Sequence, residues 1–251
     1  ALAVPTMDRA VLATRAAPVL VAEAQSTAEV VYPQLGGLVP LGSGATYAVV
    51  MVVVRHRLLT GDGERRAATR TVDVRLRVHQ GGWVVEELGS VGGDPVARPR
   101  LLPEAARRVL DDPRVVLPDS ARWDLHSAKI DGRVIAVMAD LAARAPYDVT
   151  VVRNGHPEKV VDGFGDRASN HFLGRAVDVW AVDGQPVVQQ RGQRDSLAFD
   201  LLESVIAPGP ADEVGVPVGV AVAWQMATSR SSSDTGFTGT SSSRPSAQRS
   251  T

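Results

Sequence analysis

The chain has no cysteine. That excludes disulfide staples, thiolate metal sites and cysteine nucleophiles, so any metal ion must be held by His, Asp, Glu or water. Aromatic residues make up only 4%, which forces an aliphatic core. Lysine is confined to Lys129 and Lys159, and the formal net charge is −1. The arginines are scattered, so the electrostatic footprint of nucleic-acid or anionic-membrane binding is missing. The longest apolar run, YAVVMVVV at 47–54, falls far short of the ~20 residues a helical membrane span needs. The first residue is Ala1 rather than Met, which leaves room for a removed signal peptide or anchor.

What the chain does have is aliphatic residues in strong patterns. Hydrophobic residues reach 44% over 251 residues, enough for two ordinary domains. Residues 8–30 are rich in Ala and Leu around Pro18 and suggest one or two short helices. Residues 46–59 form an apolar, β-branched run. Residues 70–80 alternate strictly, with Val72, Val74, Leu76 and Val78 on one face and Asp73, Arg75, Arg77 and His79 on the other. This is the period-2 pattern of a half-buried antiparallel strand. Gly81-Gly82 then predicts a hairpin into WVVEELGSV, 83–91.

GGDPVARPRLLP, 92–103, reads as a proline-rich linker. Beyond it, PEAARRVLDD and DGRVIAVMADLAARAP read as helices, the second with Val134, Met138, Leu141 and Ala142 at helical spacing. YDVTVVRNG, 147–155, is a strand ending at Gly155. SLAFDLLESVI, 196–206, is a helix with Leu197, Leu201 and Val205 in one stripe. EVGVPVGVAVAW, 213–224, is a strand broken by Pro217, and the Ser/Thr/Gly/Arg-rich residues 228–251 have the composition of a disordered tail. The expected fold class is α+β. Two domains, residues 1–95 and 104–227, are joined by the 96–103 linker, each a small, mainly antiparallel sheet with packed helices.

The densest chemistry lies in SNHFLGRAVDVW, 169–180. A strand over 175–182 puts Ala176, Asp178 and Trp180 on one face. An isolated carboxylate there is costly to bury unless it is paired or metal-bound. The turn before it can fold His171 back over Asp178, bringing together one imidazole nitrogen and one carboxylate oxygen, a partial zinc site. The plainer alternative is a loop histidine beside an Asp178 that pairs with Arg175 or Arg167.

Ser169, His171, Gly174, Ala176 and Asp178 meet every fixed position of the pattern S-x-H-x-x-G-x-A-x-D. This resembles the signature of the zinc D-alanyl-D-alanine carboxypeptidase family, which includes vancomycin-resistance dipeptidases and a relative in hedgehog signalling domains. The resemblance spans about residues 120–224. It implies that His171 and Asp178 ligate zinc, that Ser169 and Gly174 orient the site, and that the substrate is a peptidoglycan stem peptide at an exported, cell-envelope location. In that family a later strand supplies a glutamate base and a second histidine. Here no histidine follows His171, and Asp234 is the only acidic residue after Glu213. The catalytic base is therefore unknown. His156 is a candidate third ligand; the alternatives are an inactive binding or structural module that keeps the peptidase fold, or an altered C-terminus. Glu158, Asp162 and Asp166 are loop carboxylates that could approach a metal or simply be solvated. The first 95 residues, a helix followed by a meander ending in a W-V-V strand, resemble in pattern the nuclear-transport-factor-2-like superfamily.

Overall fold

The computed structural model of the chain describes residues 27–39, 44–59, 64–158, 168–190, 192–206, 213–214 and 226–227. The fold is α+β, with two four-stranded sheets. The first is an antiparallel meander in the order β1-β2-β3-β4: β1 (Thr27–Val39), β2 (Tyr47–Leu59), β3 (Arg65–His79) and β4 (Gly82–Ser90). The expected helix over 8–30 gives way at Thr27, where β1 begins. Val30, Val31 and Tyr32 are good strand formers, and they pair with β2. The rest of that expectation lies outside the described residues. The β3–β4 hairpin turns one residue earlier than Gly81-Gly82. Gln80 and Gly81 both take positive φ (48° and 80°), and Gly82 already pairs with His79. Two successive positive φ values make the mirror-image turn that matches strand twist.

The second sheet contains β5 (Val115–Val116), β6 (Tyr147–Val151), β7 (Asp178–Val182) and β8 (Gln185–Pro186) in that order, with β5 parallel to β6 and the other pairs antiparallel. Four described α-helices accompany it: α1 (Glu104–Asp111), α2 (Asp119–His126), α3 (Gly132–Arg144) and α4 (Leu197–Ile206). The core is theirs. Val134, Met138, Leu141 and Ala142 of α3 are buried with Val109 of α1, Leu201 and Val205 of α4, and Val149 and Val179 of the sheet. Asp131 starts α3 by accepting a hydrogen bond from the backbone N–H of Arg133 at 2.9 Å, which satisfies one of the helix's free donors. Tyr147 Oη donates to the Met138 carbonyl at 2.8 Å, so the start of β6 is tied to the middle of α3. Leu197 stays partly exposed at the start of α4. Helix α2 was not legible in the sequence. No described helix is long and apolar enough to cross a membrane.

The two sheets are joined directly by hydrogen bonds. Strand β4 pairs with β3 only from Asp73 onward, which leaves the earlier edge of β3 open. The first turn of α2 covers it: Thr69 N donates to Asp119 Oδ2 at 2.7 Å and Thr71 N to Ser120 Oγ at 3.1 Å. Thr71 Oγ1 donates in turn to the Thr150 carbonyl of β6. Residues 92–103 form neither helix nor strand, yet Arg70 Nη1 donates to the Gly93 carbonyl at 2.6 Å and His126 Nδ1 meets the Val96 carbonyl at 2.9 Å.

This packing changes the reading of β3. On the face that carries Asp73, Arg75, Arg77 and His79, Arg77 and His79 are exposed, but Asp73, like Thr71 before it, is fully buried. Across the sheet the register aligns Gln34, Met51, Asp73 and Ser90 in one row. The ends of that row meet the second sheet's segment: Gln34 reaches Asp178, and Ser90 Oγ accepts from Gly155 N at 3.1 Å.

Candidate functional site

The motif turn is built from the backbone outward. Ser169 N donates to the Glu158 carbonyl at 2.9 Å, Leu173 N to Ser169 O at 3.1 Å, Gly174 N to His171 O at 2.8 Å and Arg175 N to Asn170 O at 2.8 Å. Gly174 has φ of +69°, and a Cβ there would lie 2.1 Å from the Lys129 carbonyl oxygen. Only glycine fits that approach and that dihedral. The Gly174 carbonyl accepts from Asp131 N at 2.8 Å, so the turn is fastened to the start of α3. Arg153 holds the tip, donating from Nε to the Phe172 carbonyl at 3.1 Å while its guanidinium lies 5.4 Å from the Phe172 ring centroid.

This turn places His171 over Asp178, the first residue of β7. His171 Nε2 and Asp178 Oδ1 stand 3.1 Å apart, with side-chain exposures of 0% and 1%. Arg175 is not the partner of Asp178, since the carboxylate's two described contacts are His171 and Gln34; Arg167 lies outside the described residues. His171 Nδ1 is 2.8 Å from the Val152 carbonyl. A carbonyl can only accept, so Nδ1 carries a proton. Nε2 then faces a carboxylate, and a bare lone pair there would be repelled. A proton held between Nε2 and Asp178 Oδ1, or a cation shared by the two, fills that contact. Burial alone would lower the pKa of His171, but the charge and hydrogen bond of Asp178 outweigh it and the net direction is upward.

Ser169 and His156 form the flank. Ser169 Oγ accepts from His171 N at 3.1 Å and lies 3.0 Å from His156 Nδ1. That nitrogen is also 3.0 Å from the Pro157 carbonyl. The His156 ring stacks on His171 with centroids 4.6 Å apart and planes 16° apart. Burial first, and then the charge of His171, push the His156 pKa down to about 4, so it is neutral at pH 7. Asp124 braces the same region from α2, accepting from Arg153 N and Asn154 N at 2.8 Å each and from Asn154 Nδ2. Burial, opposed by those donors, raises its pKa to about 6.

The fit to a zinc ion divides in two. Donors each ~2.0–2.2 Å from a tetrahedral zinc stand roughly 3.3–3.6 Å apart, so His171 and Asp178 need move only a few tenths of an ångström to share one. The Val152 carbonyl would fix the imidazole tautomer, as carbonyls behind metal-bound histidines commonly do. The third donor is another matter. Ring-nitrogen lone pairs lie in the ring plane, and in near-parallel stacked rings those of His156 and His171 do not converge. Among the described residues no group of three His, Cys, Asp or Glu side chains comes together. Asp162 and Asp166 lie outside the described residues, and Glu158 is exposed. The described donor set falls short of a catalytic zinc centre.

One participant has no counterpart in the motif. Gln34 of β1 donates from Nε2 to Asp178 Oδ2 at 2.7 Å, buried and 144 positions away. Its Oε1 is buried with no hydrogen-bond partner among the described residues. Two residues earlier, Tyr32 stacks on Trp180 of β7, with centroids 4.5 Å apart and planes 18° apart. A lone glutamine in an apolar strand gives no sequence signal for such a role. No family model matches the chain, and no curated protein matches it in sequence.

Proposed function

We propose that the chain is a non-catalytic cell-envelope module with a zinc D-Ala-D-Ala peptidase-type second half, which recognises peptidoglycan stem peptides without cleaving them. The observation that carries the non-catalytic part is the closure of the His171–Asp178 pair. Both side chains are sealed from solvent, and the free oxygen of Asp178 is taken by Gln34. Hydrolysis needs an activated water and a scissile carbonyl to meet at the metal, and neither can reach a pair buried in this way. The envelope setting and the stem-peptide ligand rest on the motif at 169–178.

A specific observation favours a second reading, an active zinc peptidase. Both nitrogens of His171 face acceptors, and a zinc ion between Nε2 and Asp178 would satisfy them as well as a proton does. Metal analysis of the purified protein, alongside hydrolysis of a D-Ala-D-Ala peptide with added zinc, separates the two. The non-catalytic reading expects no chelator-sensitive hydrolysis and co-sedimentation with purified peptidoglycan. Near-stoichiometric zinc that His171→Ala abolishes, together with chelator-sensitive cleavage, would overturn it.

A further inference from the structure

The second half of the chain packs on one face of the first sheet, the face that carries Gln34, Thr71 and Asp73. The opposite face is aliphatic. It carries Val50, Val52 and Val54 of β2 and Val74, Leu76 and Val78 of β3, since alternate residues of a strand point to opposite faces. All six are part-buried, and none belongs to the buried core around α3. Trp83, paired with Val78 at one corner, is 38% exposed, and Val30, paired with Val54 at the other, is 61% exposed. Of the paired strand residues on this face between those two corners, only Arg70 is polar. It is buried at the margin, with its guanidinium 4.6 Å from the Trp123 ring centroid. In folded proteins a contiguous apolar surface of several hundred Å² marks an interaction site.

We propose that this face is the contact between two copies of the chain, first sheet stacked on first sheet. Four strands at ~4.8 Å spacing make it about 19 Å wide, and the run from Arg70 to Val78, at ~3.4 Å per residue, makes it about 27 Å long. Two such faces together bury on the order of 1,000 Å², the size at which specific interfaces begin. The surface suits a copy of itself. Antiparallel sheets stack about 10 Å apart with their inner side chains interdigitated, and an isologous pair needs no second kind of patch. A helix formed ahead of Thr27 would be about 10 Å across and would leave half the width bare. Each second half lies on the far face, so the pair presents two of them outward. On the stem-peptide reading, that makes it bivalent toward a repeating polymer.

Sedimentation equilibrium of the full chain reads the association directly and needs no peptidoglycan, so the pairing stands or falls apart from the stem-peptide reading. The parent should be a dimer at micromolar concentration. Leu76→Lys and Val52→Lys each place an unpaired charge in the contact and should weaken association at least about tenfold. Arg57→Ala, exposed and on the other face, should leave it unchanged. The chain has no cysteine, so Leu76→Cys carries a single thiol and, as a milder change, serves if the lysine variants fail to fold. A bismaleimide spanning ~10 Å, matched to the stacking distance of sheets, should link it into covalent dimers, while Arg57→Cys stays unlinked. A monomeric parent overturns the pairing: a shielded Leu76→Cys thiol would then assign the cover to residues ahead of Thr27, and a reactive one to a different partner. A dimer that survives both lysine substitutions, or that cross-links through Arg57→Cys and not through Leu76→Cys, would overturn it as well.

Discussion

Replacing Gly174 by alanine tests whether the motif turn is held by its backbone. Two costs add. The φ of +69° is left-handed, at roughly 1–2 kcal/mol for a residue with a Cβ. The new methyl would also lie 2.1 Å from the Lys129 carbonyl oxygen, so one of the two backbones must move by more than an ångström. Overpacking of that kind costs about 1–3 kcal/mol. The movement also threatens the 2.8 Å hydrogen bond from Asp131 N to the Gly174 carbonyl, worth about 1 kcal/mol. The total is roughly 3–6 kcal/mol, a large share of a domain's usual ~5–15 kcal/mol. Gly184 supplies the control, because its φ of +72° is nearly the same and nothing lies within 4 Å of its would-be Cβ. Gly184→Ala should therefore cost only the dihedral term. Urea unfolding of the two variants beside the parent measures the difference. If Gly174→Ala falls within about 1 kcal/mol of Gly184→Ala, the close approach to Lys129 is not what reserves this position for glycine.

Asp73 predicts a pH dependence. Burial, opposed by Arg75, pushes its carboxyl up to about 6, above the ~3.9 of an unfolded chain, so the folded state binds the extra proton between those values. Its contribution to stability is then full below about pH 4 and is lost as pH rises through 6, to roughly 3 kcal/mol. The unfolding free energy of the parent minus that of Asp73→Asn should accordingly fall from pH 4 to 7, and a flat difference would refute the burial argument. Ser169→Ala removes the acceptor for His171 N and the neighbour of His156 Nδ1. Chemical denaturation should report a loss of about 1–3 kcal/mol, whereas under half a kcal/mol would mean that Ser169 only fills space.

Which parts of the fold could be read from sequence follows from how local their causes are. Helix α3 was legible because Val134, Met138, Leu141 and Ala142 repeat at helical spacing and are all buried. Strand β3 was legible by alternation, but the fate of its faces was not. Alternation says that Asp73 and Val72 point opposite ways; it does not say that both faces are covered at that point. Helix α2 is short, Asp119–His126, and its apolar residues make no clear stripe. It exists because its first turn satisfies the open edge of β3, a requirement set by residues some fifty positions earlier. Strand β1 was hidden because Pro33, Gly36 and Gly37 break its pattern, and one of its two register shifts falls at Gly36, between Leu35 and Gly37.

The site divides along the same line. Ser169, His171, Gly174 and Asp178 fall within ten residues, so the turn that brings them together is written into that stretch, down to the positive φ at Gly174. What faces those residues is written elsewhere. The Val152 carbonyl that fixes the His171 proton follows from β6 running beside β7, and Gln34 follows from the docking of the first sheet on the second. A short signature encodes the geometry of a pair but not its accessibility, because accessibility belongs to whatever packs on top. His171 and Asp178, 3.1 Å apart, form a closed polar contact in this fold, and the residue that completes it, Gln34, is far from the motif in sequence and in contact with it in space.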